Sequence, residues 1–111
     1  MLPSDWVAQG WCQNMSASDS EGNRVSSLNP KAVKVCAIES VWKTYPESLE
    51  DLSVFQKRGI YVIALIHEIH KLVGGELQGV SLVNWNDTPG RTQEEVIEVL
   101  RKVEQKLELR S

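Results

Sequence analysis

Three places in the chain hold residues able to do chemistry. His67, Glu68 and His70 form the run His-Glu-Ile-His. A zinc-protease helix needs its histidines four apart with the glutamate beside the first, and here they are three apart. Positions i and i+3 can still share a metal, with Cys12 and Cys36 as further ligands. Structural zinc sites, however, use short local ligand pairs, and neither cysteine has one. The spacing predicts two histidines at the rim of a core helix, with no metal site and no cofactor. Cys12, His67 and Asp87 are also the residue types of a nucleophile, a base and an orienting group. No local signature marks them as a triad. No residue is therefore assigned a catalytic role, and a thiol-dependent or metal-assisted hydrolase using Cys12, His67 or Asp87 stands as the alternative to a non-catalytic function.

The third place is the run Trp85-Asn86-Asp87-Thr88-Pro89-Gly90-Arg91-Thr92. Asn and Asp side chains bond nearby backbone amides and lock turns. Arg91 can pair with Asp87 or hold a partner's carboxylate. Four of the seven aromatic residues are tryptophan, a type enriched at interaction surfaces. Trp11, Trp85, Asn86, Asp87 and Arg91 are thus the candidate ligand- or partner-binding residues, expected as a polar corner beside Trp11. A self-satisfied turn that only orients the final helix is the other reading.

The elements that must position these groups follow from periodicity. Residues 4–11 predict a short helix with Ser4 as N-cap and Gly10 at its end. Residues 13–29 are rich in turn formers, and segments 15–18 and 24–26 could pair as a small hairpin or form an ordered loop. Asn29-Pro30 is an N-cap signal, with apolar residues at helical spacing up to Tyr45-Pro46. Pro46 opens a further helix with Glu47, Glu50 and Asp51 in its first turn and Leu49, Leu52 and Phe55 facing inward, with a break near 57–59 at Gly59. Residues 60–72 read as a helix by length, although β-branched residues at 60–66 also suit a strand. Apolar on most faces and stopped by Gly74-Gly75, this helix is expected to be the most buried. Thr92 and Glu95 form a capping box, and Val96, Val99, Leu100, Val103 and Leu107 mark one face of a helix over 92–108.

These elements predict a mainly α fold, a compact single-core bundle of four to five helices with one small β-hairpin near residues 14–27. The length of 111 residues suits a single domain. The longest apolar run, residues 60–66, is far short of the ~18 residues of a membrane span, and no secretory signal is recognisable at the N-terminus. Net charge is −3, and Lys31, Lys34 and Lys43 make the only modest basic cluster, so neither nucleic acid nor an anionic membrane is an expected partner. The cysteines read as reduced structural thiols of a cytoplasmic protein.

Gly10-Trp11-Cys12-Gln13, the turn around Asp19 and Gly22, Cys36-Ala37, and the late Trp85-Asn86-Asp87-x-Pro-Gly-Arg-Thr together resemble a small bacterial domain family of unknown function. Its pattern runs G-W-C-Q, C-A-x-G-A and W-N-D-x-P-G-R-T. The resemblance spans roughly residues 10–105. It implies a genuine folded domain and carries no activity. The function expected is that of a small non-catalytic interaction or regulatory module binding a protein partner or small ligand.

Overall fold

The computed structural model describes residues 1–46 and 51–110. Among them are five α-helices: α1 (Pro3–Gln9), α2 (Ala37–Thr44), α3 (Leu52–Val73), α4 (Leu82–Asn86) and α5 (Gln93–Lys106). Strands β1 (Ala17–Ser18) and β2 (Lys34–Val35) pair antiparallel, and a 3-10 turn spans Leu77–Gly79. The fold is mainly α with one small two-stranded element, as the periodicity implies.

The centre of the molecule is α5. Val96, Leu100 and Val103 are wholly buried and Val99 nearly so. Both α1 and α3 pack on this helix, and α2 packs on α1, α3 and α4. The capping box is formed: the Thr92 hydroxyl accepts from the Glu95 amide at 3.2 Å, and the Glu95 carboxylate accepts from the Thr92 amide at 3.0 Å. Glu98 and Lys102 pair at 3.3 Å, one turn apart.

Other expectations need correction. Ser4 is not the cap of α1. Pro3 occupies the first helical position, and Asp5 accepts from the Leu2 amide at 2.8 Å. Helix α2 starts at Ala37, not near residue 30. The Asn29 side chain instead accepts from the Lys31 amide at 2.8 Å, so the Asn-Pro signal closes a local turn. That turn frees residues 34–35 to pair with β1. The hairpin partner of β1 is thus β2, and the 24–26 segment contributes only an isolated bridge between Arg24 and Ser18.

In α3 there is no break at Gly59 and no strand at 60–66. Helix α3 is continuous and ends at Gly74, whose φ of 72° suits glycine. It is also not the most buried helix. Only Tyr61, Leu65, Glu68 and Ile69 are buried, because α3 meets α5 and α2 and leaves the rest of its surface uncovered. Leu52 and Phe55, expected inward, are exposed. Glu47, Leu49 and Glu50 lie outside the described residues.

Candidate functional site

Asn86 ends α4 with its side chain buried. Its amide oxygen accepts from Trp11 Nε1 at 2.7 Å and from the Ala37 backbone amide at 2.9 Å. Its amide nitrogen donates to the Cys12 carbonyl at 3.1 Å and to Asp87 Oδ1 at 2.9 Å. Two acceptances and two donations use the full capacity of a carboxamide. One side chain thereby ties the 10–12 segment, the start of α2 and the end of α4 together. Asp87 adds a bond from the Asn14 amide at 2.9 Å, and Gln13 reaches the carbonyls of Asn86 and Thr88. Asn14 takes a left-handed conformation, φ 64°, which asparagine tolerates better than most residues.

Arg91 faces the other side of the corner. Its Nε donates to the Trp85 carbonyl at 3.0 Å, and its guanidinium lies 4.3 Å over the Trp85 ring. The same group pairs with Glu95 at 2.9 Å. The structure therefore gathers all five expected residues, Trp11 and Asn86 directly bonded, Trp85 and Arg91 stacked, and Asp87 between them and the loop. The Arg91–Asp87 pair does not form, because Glu95, one helical turn away, takes the guanidinium.

Two clefts flank this corner. One, about 250 Å³, is lined by Asn14, Met15, Arg24, Cys36, Val83 and Asp87, among others. The other, about 270 Å³, lies between the end of α3 and α5, over Trp85, Arg91, Leu72 and Val99.

The residues of the hydrolase reading are divided. Cys12 and Asp87 share the corner. His67 is exposed on α3 and lines a separate cleft with Ile63, Ile66, Leu77 and Gln78. No hydrogen bond or ion pair joins His67 to Cys12 or Asp87 among the described residues. Burial, with Cys36 and Asp87 adding to it, pushes the Cys12 thiol up to about 12, which keeps it protonated near neutral pH. In the His-Glu-Ile-His run, Glu68 is buried and held by Lys106 and Lys71. Burial raises its carboxyl, but the two lysines outweigh that and leave it lowered. His70 meets the Gly75 carbonyl at 2.8 Å. Among the described residues, no three His, Cys, Asp or Glu side chains converge as a metal site.

A second polar cluster was not foreseen. Glu104 is wholly buried on α5. It accepts from the Ser4 amide at 2.9 Å, from the Ser4 hydroxyl, from Tyr61 OH at 2.7 Å and from Arg110 Nε at 2.9 Å. Arg110 also reaches Asp5 at 2.9 Å. The signal was legible: position 104 lies one turn beyond Leu100, on the apolar face of α5. A carboxylate there requires partners.

A family model covers residues 7–106, from α1 to the end of α5. The chain belongs to a family of unknown function, DUF6197. The match takes in the whole Asn86 corner and, of the second cluster, Tyr61 and Glu104; Ser4, Asp5 and Arg110 lie outside it. No curated protein and no solved structure matches the chain. No helix among the described residues is long and apolar enough to cross a membrane.

Proposed function

We propose that this DUF6197 domain is a non-catalytic docking module that receives a protein partner on the outer face of α3. The observation that carries this reading is the exposure of large apolar side chains there. Leu52 is 69% exposed, Phe55 51%, Ile60 55% and Ile63 59%. Leu52, Ile60 and Ile63 fall on the side of α3 opposite Tyr61, Leu65 and Ile69, and Phe55 lies on its flank. At on the order of 100 Å² each, the four form a patch of ~400 Å², within the range of functional patches on monomers.

Charge specifies the partner. The exposed ionic groups along α3 include Lys57 and Lys71, and the half-buried Arg58 stacks on Trp42 and Phe55 at 4.7 Å. Glu68, the one acid within α3, is buried and paired with lysines. An apolar face flanked by cations, with no unpaired carboxylate within Leu52–Val73, suits an amphipathic helix whose apolar stripe is edged by Asp and Glu. A second copy of the chain would set these cations against each other. The Asn86 corner is a brace for the fold in our reading, since its polar groups are spent on one another. The hydrolase alternative has no comparable support, because the Cys12 thiol is held protonated and His67 faces elsewhere. Two free thiols in so small a domain support a cytoplasmic setting.

The test places a photo-cross-linking residue at position 56 of the full chain, with and without Ile63→Glu, in the native cell. The expected result is a cross-linked partner segment with an apolar stripe and acidic flanks. It should be lost in I63E while circular dichroism and the melting curve stay unchanged. A cross-link only to another copy of the chain, or none at all, overturns the proposal. So would loss of the cross-link on adding only a small metabolite fraction, which would mark a ligand site instead.

A further inference from the structure

The two cysteines, far apart in sequence, are neighbours in space. Val35 and Trp11 form a parallel bridge. The Val35 amide donates to the Gly10 carbonyl at 3.0 Å, and the Cys12 amide donates to the Val35 carbonyl at 3.2 Å. The chain fits this closely only because residue 10 is glycine. A Cβ there would meet the Val33 carbonyl oxygen at 2.3 Å. The bridge is a single pair; continuing it by one residue sets Cys12 opposite Cys36 at one strand spacing, ~4.8 Å. Side chains alternate along each strand, so both sulfurs lie on the face opposite Trp11 and Val35.

Independent contacts agree. The Ser16 carbonyl accepts from the Cys36 amide at 2.9 Å and lies 3.9 Å from Cys12 Sγ. The Asn86 side chain bonds residue 12 on one side and residue 37 on the other. Disulfides need Cα atoms about 4.4–6.8 Å apart, and one strand spacing falls within that range.

We propose that Cys12 and Cys36 form a dithiol pair that closes reversibly to an intramolecular disulfide. Cys36 is the attacking thiol. It is only 6% exposed, whereas Cys12 is half-buried, but it lines the 250 Å³ cleft and sits at the N-terminus of α2. Burial pushes its thiol up, and the backbone amides of Glu39 and Ile38 pull the other way. Cys12 has no such amides and is the resolving thiol.

With oxidised glutathione as the oxidant, the Cys36 thiol loses its proton to solvent and its sulfur attacks one sulfur of the oxidant. That S–S bond breaks, and one glutathione thiolate leaves and is protonated. The Cys12 thiol then loses its proton, and its sulfur attacks Cys36 Sγ and displaces the second glutathione. Two electrons pass from the cysteine pair to the oxidant, giving one protein disulfide and two reduced glutathiones. Both thiols are raised, so closure is slow at neutral pH and quickens in mild alkali. This inference is independent of the α3 reading.

The test equilibrates the full chain with glutathione buffers of stepped oxidised-to-reduced ratio at mildly alkaline pH, quenches in acid, and reads intact mass and a peptide map. The expected result is loss of two hydrogens, a Cys12–Cys36 peptide, reversal by dithiothreitol, and no change in sedimentation. Cys12→Ser should stop at a stable glutathione adduct on Cys36. Two free thiols at every ratio overturn the proposal. So do an unresolved adduct on the unmodified chain, a disulfide only between chains, or an adduct-free Cys36 in C12S.

Discussion

Replacing Asn86 with alanine removes the one side chain that holds three segments together. The Ala37 amide loses its acceptor inside a buried site, a cost of about 1–3 kcal/mol. Trp11 Nε1 and the Cys12 carbonyl are only half-buried, so water partly replaces the lost partner, at about 0.5–1 kcal/mol each. The sum is on the order of 2–5 kcal/mol, a large share of the ~5–15 kcal/mol that holds a domain together. Urea unfolding at pH 7 reads it directly. With an m-value of about 1.5 kcal/mol/M, the midpoint should fall by roughly 1–3 M with m unchanged. Asn86→Asp refines the test. It keeps the acceptor for Trp11 and Ala37 but turns the donor into an oxygen facing the Cys12 carbonyl and Asp87. Burial and that neighbour raise the folded pKa of the new carboxyl above its unfolded ~3.9. Stability tied to its protonated form is present at low pH and lost as pH rises through the folded value. The deficit of N86D relative to the parent should therefore shrink on acidification. A midpoint for N86A within about 0.5 M of the parent, or an N86D deficit that does not change with pH, refutes the hub argument.

Arg91 is half-buried and stacked on Trp85, so Arg91→Ala should cost about 1–2 kcal/mol in the same assay, more than an exposed ion pair would. Tyr61→Phe removes a donor to the buried Glu104 carboxylate and should cost about 1.5–3 kcal/mol. Gly59→Ala should raise the melting temperature, by about 0.5–1 kcal/mol of stability, because a Cβ there meets nothing within 4 Å. The Leu2 amide, with Arg110 adding, holds the Asp5 carboxyl below its ordinary value. Its stabilisation is complete above about pH 4 and lost as pH falls through the lowered folded value; an acid titration of Arg110→Ala should show a shallower limb than the parent.

The legible parts of the sequence were those whose partners lie nearby in the chain. The Thr92–Glu95 box and the apolar face of α5 need only residues three or four apart. The turn chemistry of residues 85–92 was likewise local, and its ordered corner followed. Long-range competition decided the rest. Asn29-Pro30 is a sound helix start, but residues 34–35 gain more by pairing with β1 than by winding. The apolar residues of α3 gave no hint of which side would meet α5, because both sides are apolar. That ambiguity hid the exposed face and made the helix look central. Position 104 breaks the apolar stripe of α5, and two of its partners, Ser4 and Tyr61, are far away in sequence. The pairing of Cys12 with Cys36 depends on a parallel bridge between segments with no strand signal of their own.

Helix α1 rests on α5, and Ser4 bonds a carboxylate a hundred residues further on. The first helix of the chain is only seven residues long, too short to persist alone in water. As the chain emerges during synthesis, α1 can meet β2 and α2 early, but α5, against which it also packs, comes last. Closing so long a loop carries an entropic cost that only the complete core offsets. Until then Ser4 lacks its buried partner, the Glu104 carboxylate. A stop codon anywhere before residue 104 would release a polypeptide in which Ser4 lacks its carboxylate and α1 is only partly covered, and quality-control proteases should clear such fragments rapidly.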